Sequence, residues 1–202
     1  MTRVVAAWVG NVSAGLGANY RRAAEKGRPH AIEIEDHSNF SLSLALQAAA
    51  MGVPFLPTRT LLGTDLLASN PWLEVHEHKG EQLVYVPALQ PDVAVLHVQR
   101  ADEQGGAHAW GPLGVSHEAF LASRQVILTA EEIVPREVIA ADPNRVLGPH
   151  LKVAAVVHAP GGAHPSPAQD FYGRDHAAYQ AYYEASRTVE GFQGWLSEHV
   201  LR

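Results

Sequence analysis

The sequence predicts an α/β protein with an open, mostly parallel sheet flanked by helices, and three observations carry that expectation. Strand-like runs alternate with helix-like runs along the chain. Several strand-like runs are apolar on both faces, as strands buried in a parallel sheet are. The 202 residues hold no internal repeat and no low-complexity linker, so one domain over 1–202 is expected.

The elements follow in order. "RVVAAWV" (3–9) is β-branched, stops at Gly10 and reads as a strand. "GANYRRAAEKG" (17–27) joins helix formers to a closing glycine and reads as a short helix. "HAIEIED" alternates like a strand. "SNFSLSLALQAAAMG" is a helix with Ser38 or Asn39 as N-cap and Gly52 as the stop. Its apolar residues surround the axis, so it is expected to be buried. "GVPFLPTRTLLGTD" (52–65) carries Pro54 and Pro57, which a central strand does not accommodate, and is expected to be a rigid loop. "QLVYVPAL" and "DVAVLHVQRA" are strands, the second apolar on both faces as far as Leu96. "DEQGG" is turn chemistry and "AHAWG" a short strand. "RQVILTAEEIV" precedes a small helix opening at Pro135, and "VAAVVHAP" reads as a further buried strand. "RDHAAYQAYYEASRT" and "TVEGFQGWLSEHVL" read as two closing helices.

Composition narrows the functional classes. The net charge is −6, with no run of Lys or Arg longer than two, which gives no footprint for nucleic acid. No stretch approaches the roughly 18 apolar residues of a membrane helix. Without cysteine, the chain has no disulfides, thiolate nucleophiles or zinc–thiolate sites. A cytoplasmic protein is expected. Among twelve histidines, His76 and His78 would share one face of a strand, but no third ligand lies near them in sequence, and no metal is expected.

The candidate motifs each have a plainer reading. "GLG" (15–17) could cradle a phosphate at a helix N-terminus, but without a third glycine a tight turn explains it better. Glu131 and Glu132 in "TAEEIVP" are paired carboxylates suited to acid–base chemistry; Thr129 with Glu132 also fits a capping box, which is the reading taken. No Gly-x-Ser-x-Gly elbow occurs. Arg59, in the stiff 52–65 segment, is either held ready for a carboxylate or phosphate or paired structurally with Asp65 or Glu35, and the sequence leaves both open. Loops that follow strands, among them "VGNVSAG" and "APGGAHPSP", are where ligands of such sheets bind.

Seven segments resemble, in order, the alpha subunits of family I CoA-transferases, in the branch like glutaconate CoA-transferase. They are "AWVGNVSAGLGANYRRAAEKG", "SNFSLSLALQAAAMGVPFLPTR", "PDVAVLHVQRADEQG", "VILTAEEIVP", "PGGAHPSP", "YGRDHAAYQAY" and "ASRTVEGFQGWL". The resemblance implies transfer of CoA between an acyl-CoA and a free carboxylic acid through a glutamate that becomes an anhydride and then a glutamyl-CoA thioester. That glutamate is expected on a partner beta subunit, since no Glu-Asn-Gly motif occurs here. This chain alone should be inactive, hold no permanently bound cofactor and meet coenzyme A as a substrate thioester. Asn11, Ser13, Asn39 and Arg59 are expected to face the substrate cleft. Two departures from the family pattern are an N-terminal strand–helix–strand unit that is missing here, which implies an N-terminally truncated or degenerate subunit, and Gly106, where Asn is frequent. A related branch hydrolyses ring CoA esters using an alpha-chain glutamate; its nearest equivalent here is Asn39, and an amide cannot act as a general base, so the hydrolase ranks below the transferase.

Overall fold

The computed structural model describes residues 2–11 and 14–201. Strand β1 (Arg3–Ala6) leads into a minimal hairpin, β2 (Gly10–Asn11) and β3 (Gly15–Leu16), and then helix α1 (Ala18–Lys26). Gly27 closes α1 in the left-handed conformation, as the helix reading required. Strand β4 (Glu33–Asp36) pairs in parallel with β1 and is followed by α2 (Asn39–Met51). Strand β5 (Phe55–Thr58), the short α3 (Leu66–Ser69), β6 (Glu74–His78) and β7 (Glu81–Pro87) come next; the strands form an antiparallel sheet in the order β5–β7–β6.

The larger sheet is built from β8 (Val93–Ala101), β9 (Ala107–His108), β10 (Gln125–Ile133) and β11 (Val153–His158), with α4 (Ser116–Ala122) and α5 (Arg136–Ala141) between them. Its order is β11–β10–β8–β9, parallel except for β9. Helices α6 (His176–Ser186) and α7 (Val189–His199) close the described chain. The α/β class matches the expectation, although the strands are divided among several sheets.

Two cores explain the placement of α2. One joins Val98, Val126 and Leu128 of the larger sheet to Phe120 of α4. The other joins Ala45 of α2 to Val84 and Val86 of β7. Lying between α4 and the antiparallel sheet, α2 needs apolar residues around most of its girth. Its exposed large apolar side chains, Phe40 and Met51, are at its ends.

Three expectations are corrected. Pro57 lies within β5, and the segment is therefore partly strand. This is possible because β5 is an edge strand. The bond from the Ala88 amide to the Pro54 carbonyl makes Leu56 and Val86 the next hydrogen-bonded pair, so Pro57, opposite Tyr85, points its missing donor away from β7. Thr129 and Glu132 lie in β10, paired on both sides, and form no capping box. Strand β11 is an exposed edge, although its sequence suggested burial. Val93, Val95 and Val157 alternate onto one exposed face of the sheet, and Val95 is 66% exposed. Of the two N-cap candidates of α2, Ser38 takes the position, in a reciprocal capping box with Ser41.

Candidate functional site

Parallel pairing brings the ends of β1 and β4 together, with Ala6 opposite Asp36, so the loops that follow both strands open at one edge. The first loop carries Asn11, whose backbone pairs with Gly15 in the hairpin. Ser13 lies outside the described residues. The second carries Asn39, exposed in the first turn of α2. Gly15 opens β3 at φ 89°, a conformation that favours glycine, and Gly17 is the N-cap of α1.

Behind Asn39 lies a buried polar chain. The His37 ring approaches Glu35 Oε1 through Nε2 at 2.9 Å and Ser41 Oγ through Nδ1 at 3.1 Å. Arg3 pairs with the same Glu35 carboxylate, and Asn70 donates to the Asp36 carbonyl at 2.8 Å. Burial lowers the His37 pKa, against the pull of Asp36. A carboxylate at 2.9 Å, itself paired with Arg3, would favour the charged ring, but burial prevails and favours the neutral one. This chain resembles an acid–imidazole–hydroxyl triad in order only. Ser41 is fully buried, and its hydroxyl accepts the Ser38 amide, so it braces the start of α2.

Arg59 stands apart. It follows β5, its side chain is 73% exposed, and its partner is Glu81 at the start of β7, not Asp65 or Glu35. His76 pairs with Glu74 and stacks on Tyr85. Among the described residues no three His, Asp or Glu side chains are placed to share a metal ion.

A half-open cavity of about 1040 Å³ lies between β1, α1 and the α6–α7 pair. Val9 and Gly10, beside Asn11, form part of its wall; Tyr20, Tyr182 and Trp195 supply aromatic surface, and His164 and Pro165 close one side. That side is anchored by Glu131, a residue noticed in the sequence only as half of a carboxylate pair. Glu131 is 6% exposed. Its Oε1 accepts from Tyr172 Oη at 2.5 Å and His97 Nε2 at 2.7 Å, and its Oε2 accepts the Gly161 amide at 2.8 Å. Tyr172 Oη in turn accepts the Ala163 amide at 3.0 Å. Burial raises the Glu131 pKa, but the bonds from Tyr172, Gly161 and His97 outweigh it and hold the carboxyl below its ordinary value. The Tyr172 pKa is raised, by burial first and then by the carboxylate it serves. The only sequence signals for this clasp were the "TAEE" and "PGGAHPSP" segments.

Fold and site together define an α/β protein with crevices at the carboxyl ends of parallel strands. The chain belongs to the Coenzyme A transferase family, which its residues 4–159 match. It is 42% identical to the alpha (A) chain of 3-oxoadipate CoA-transferase from Pseudomonas knackmussii, over 96% of this chain and 68% of that protein. It is 32% identical to the alpha (A) chain of glutaconate CoA-transferase from Acidaminococcus fermentans, over 92% of this chain and 63% of that protein. The crystal structure of glutaconate coenzyme A-transferase from that organism superposes with a TM-score of 0.90 at 29% identity, covering 98% of this chain and 68% of its counterpart. The chain thus spans about two thirds of the length of these relatives.

Proposed function

We propose that this chain works as the alpha subunit of a cytoplasmic, hetero-oligomeric CoA-transferase that moves CoA between an acyl-CoA and a small dicarboxylic acid. The observation that carries the reading is the 42% identity, over 96% of the chain, with a protein named for 3-oxoadipate, a dicarboxylic acid, as glutaconate also is. A glutamate on the partner beta chain attacks the thioester carbonyl and expels the CoA thiolate, leaving a mixed anhydride. The thiolate then attacks the glutamyl carbonyl, releases the first acid and forms the glutamyl-CoA thioester, and the second acid reverses both steps.

In this scheme the present chain binds and orients. Asn11, Ser13 and Asn39 are assigned as its substrate contacts, and the Asn39 amide can donate to a substrate oxygen but cannot take up a proton as a base, which favours transfer over hydrolysis. Arg59 exchanges its surface partner Glu81 for the carboxylate of the acid. Co-expression with a beta subunit, native mass measurement and a CoA-transfer assay on 3-oxoadipate and glutaconate test the proposal. An active complex is expected, with Arg59→Ala raising KM for the acid or preventing assembly. CoA release that needs no acid acceptor would point to the hydrolase instead, and unchanged kinetics in an intact Arg59→Ala complex would remove Arg59 from the cleft.

A further inference from the structure

Asp102 follows directly on β8, at the carboxyl end of the larger sheet, and is 3% exposed. Its Oδ1 accepts the Gln104 amide at 2.8 Å and the Gly106 amide at 2.9 Å, which fixes the turn into β9. Oδ2 has no hydrogen-bond partner among the described residues. A carboxylate oxygen buried without a donor is costly, so its position is better suited to an occupied site than to an empty one. Gly106 is what makes room for it, because a Cβ there would lie 2.4 Å from Oδ2.

The residue lines a cavity of about 270 Å³, walled by Ile139, Val146 and Pro149, with Arg136 and His150 also among its lining residues. Arg136, the first residue of α5, has no ion-pair partner among the described residues. A buried acceptor, apolar walls and basic side chains describe a flat, nitrogen-rich ring that offers an N–H and carries an anion outside the ring. A simple amine fits poorly, since its cation would meet Arg136; a sugar would waste the apolar walls.

We propose that this cavity is an adenine-nucleotide site, in which the exocyclic amine of the base donates to Asp102 Oδ2 and the phosphate meets Arg136 and His150. Its connection to coenzyme A, which ends in an adenosine phosphate, rests on the CoA-transferase reading; the site itself does not. The volume admits the base and leaves ribose and phosphate at the mouth.

Isothermal titration of the chain with AMP and with IMP, which carries a carbonyl in place of the amine, tests the site. AMP should bind about tenfold more tightly or better, because a carbonyl would face Oδ2 without a proton between them. Asp102→Asn keeps the Oδ1 acceptor for the turn but presents N–H at the second position, and it should reverse the preference towards IMP. Arg136→Ala should weaken both nucleotides alike and leave their ratio unchanged. Failure of AMP to bind at about 10 mM, equal binding of the two nucleotides, or an unchanged preference in Asp102→Asn overturns the proposal. AMP selectivity in a chain whose complex transfers no CoA would retain the site and discard the transferase; an active transferase without that selectivity would do the reverse.

Discussion

Replacing Glu131 by Gln exchanges one carboxylate oxygen for an NH₂ group and tests the clasp beneath the cavity wall. The carboxylate accepts three donors, from Tyr172, His97 and the Gly161 amide, at 2.5–2.8 Å. An amide can keep the first two through its oxygen, but its NH₂ then faces the Gly161 N–H. The substitution loses one charge-assisted bond, weakens two others and leaves opposed donors in a site 6% exposed. The expected cost is about 2–4 kcal/mol, which for a chain of this size lowers Tm by roughly 5–12 °C. The sign of the pH effect follows from the depressed pKa: the contribution of Glu131 is complete above the ordinary value of 4.5 and is lost as the pH falls through the folded value. Thermal melting followed by circular dichroism, from neutral pH to below 4.5, should therefore show the wild type losing stability in acid faster than Glu131→Gln does. The neighbouring Glu132, 46% exposed and paired with Arg100, serves as the control, and Glu132→Gln should cost less than about 1 kcal/mol. A Glu131→Gln protein that melts within about 1 °C of the wild type, with the same acid slope, would refute the reasoning.

Two further outcomes are expected. The pKa of His37 is lowered from 6.5, so its stabilising contribution is complete above 6.5 and declines as the pH falls below it; His37→Gln should flatten that part of the melting profile, and an unchanged slope would exclude the ring. On the exposed sheet face, Val95→Thr with Val157→Thr should reduce light scattering of concentrated protein while shifting Tm by only a few degrees, since both side chains are about half exposed or more; unaltered scattering would show that the face does not drive association.

What was legible in the sequence was local and periodic. The left-handed stop at Gly27, the full girth of α2 and the two-faced apolar run of β8 each have a signature within one element. Composition could not show where an element stands in its sheet. Pro57 rules out a central strand but not an edge, and the apolar run of β11 looks the same at an edge as in the middle. Thr129-x-x-Glu132 satisfies a capping pattern and a strand equally well; pairing with β8 and β11 decides it. Of the candidate cleft residues, Asn39 and the loop bearing Asn11 reach one edge, while the partner of Arg59 lies 22 positions away, beyond any local pattern.

The "APGGAHPSP" segment shows how a loop can look like a ligand cradle for a different reason. Gly161 adopts φ 76° and turns its amide to Glu131, as a residue without Cβ strain can. Gly162 needs glycine on other grounds, because a Cβ there would meet the His97 ring at 2.8 Å and the Ala159 carbonyl at 2.8 Å. Two adjacent glycines thus serve one buried carboxylate, one by conformation and the other by letting the backbone lie against a histidine that the same carboxylate holds. Tyr172, 41 positions from Glu131, completes the clasp by accepting the Ala163 amide, and His164 and Pro165 reach the cavity from that anchored backbone. The glycines are therefore explained by the closure of the loop onto the sheet, and any ligand in the cavity meets the side chains that this closure presents, not the glycine backbone.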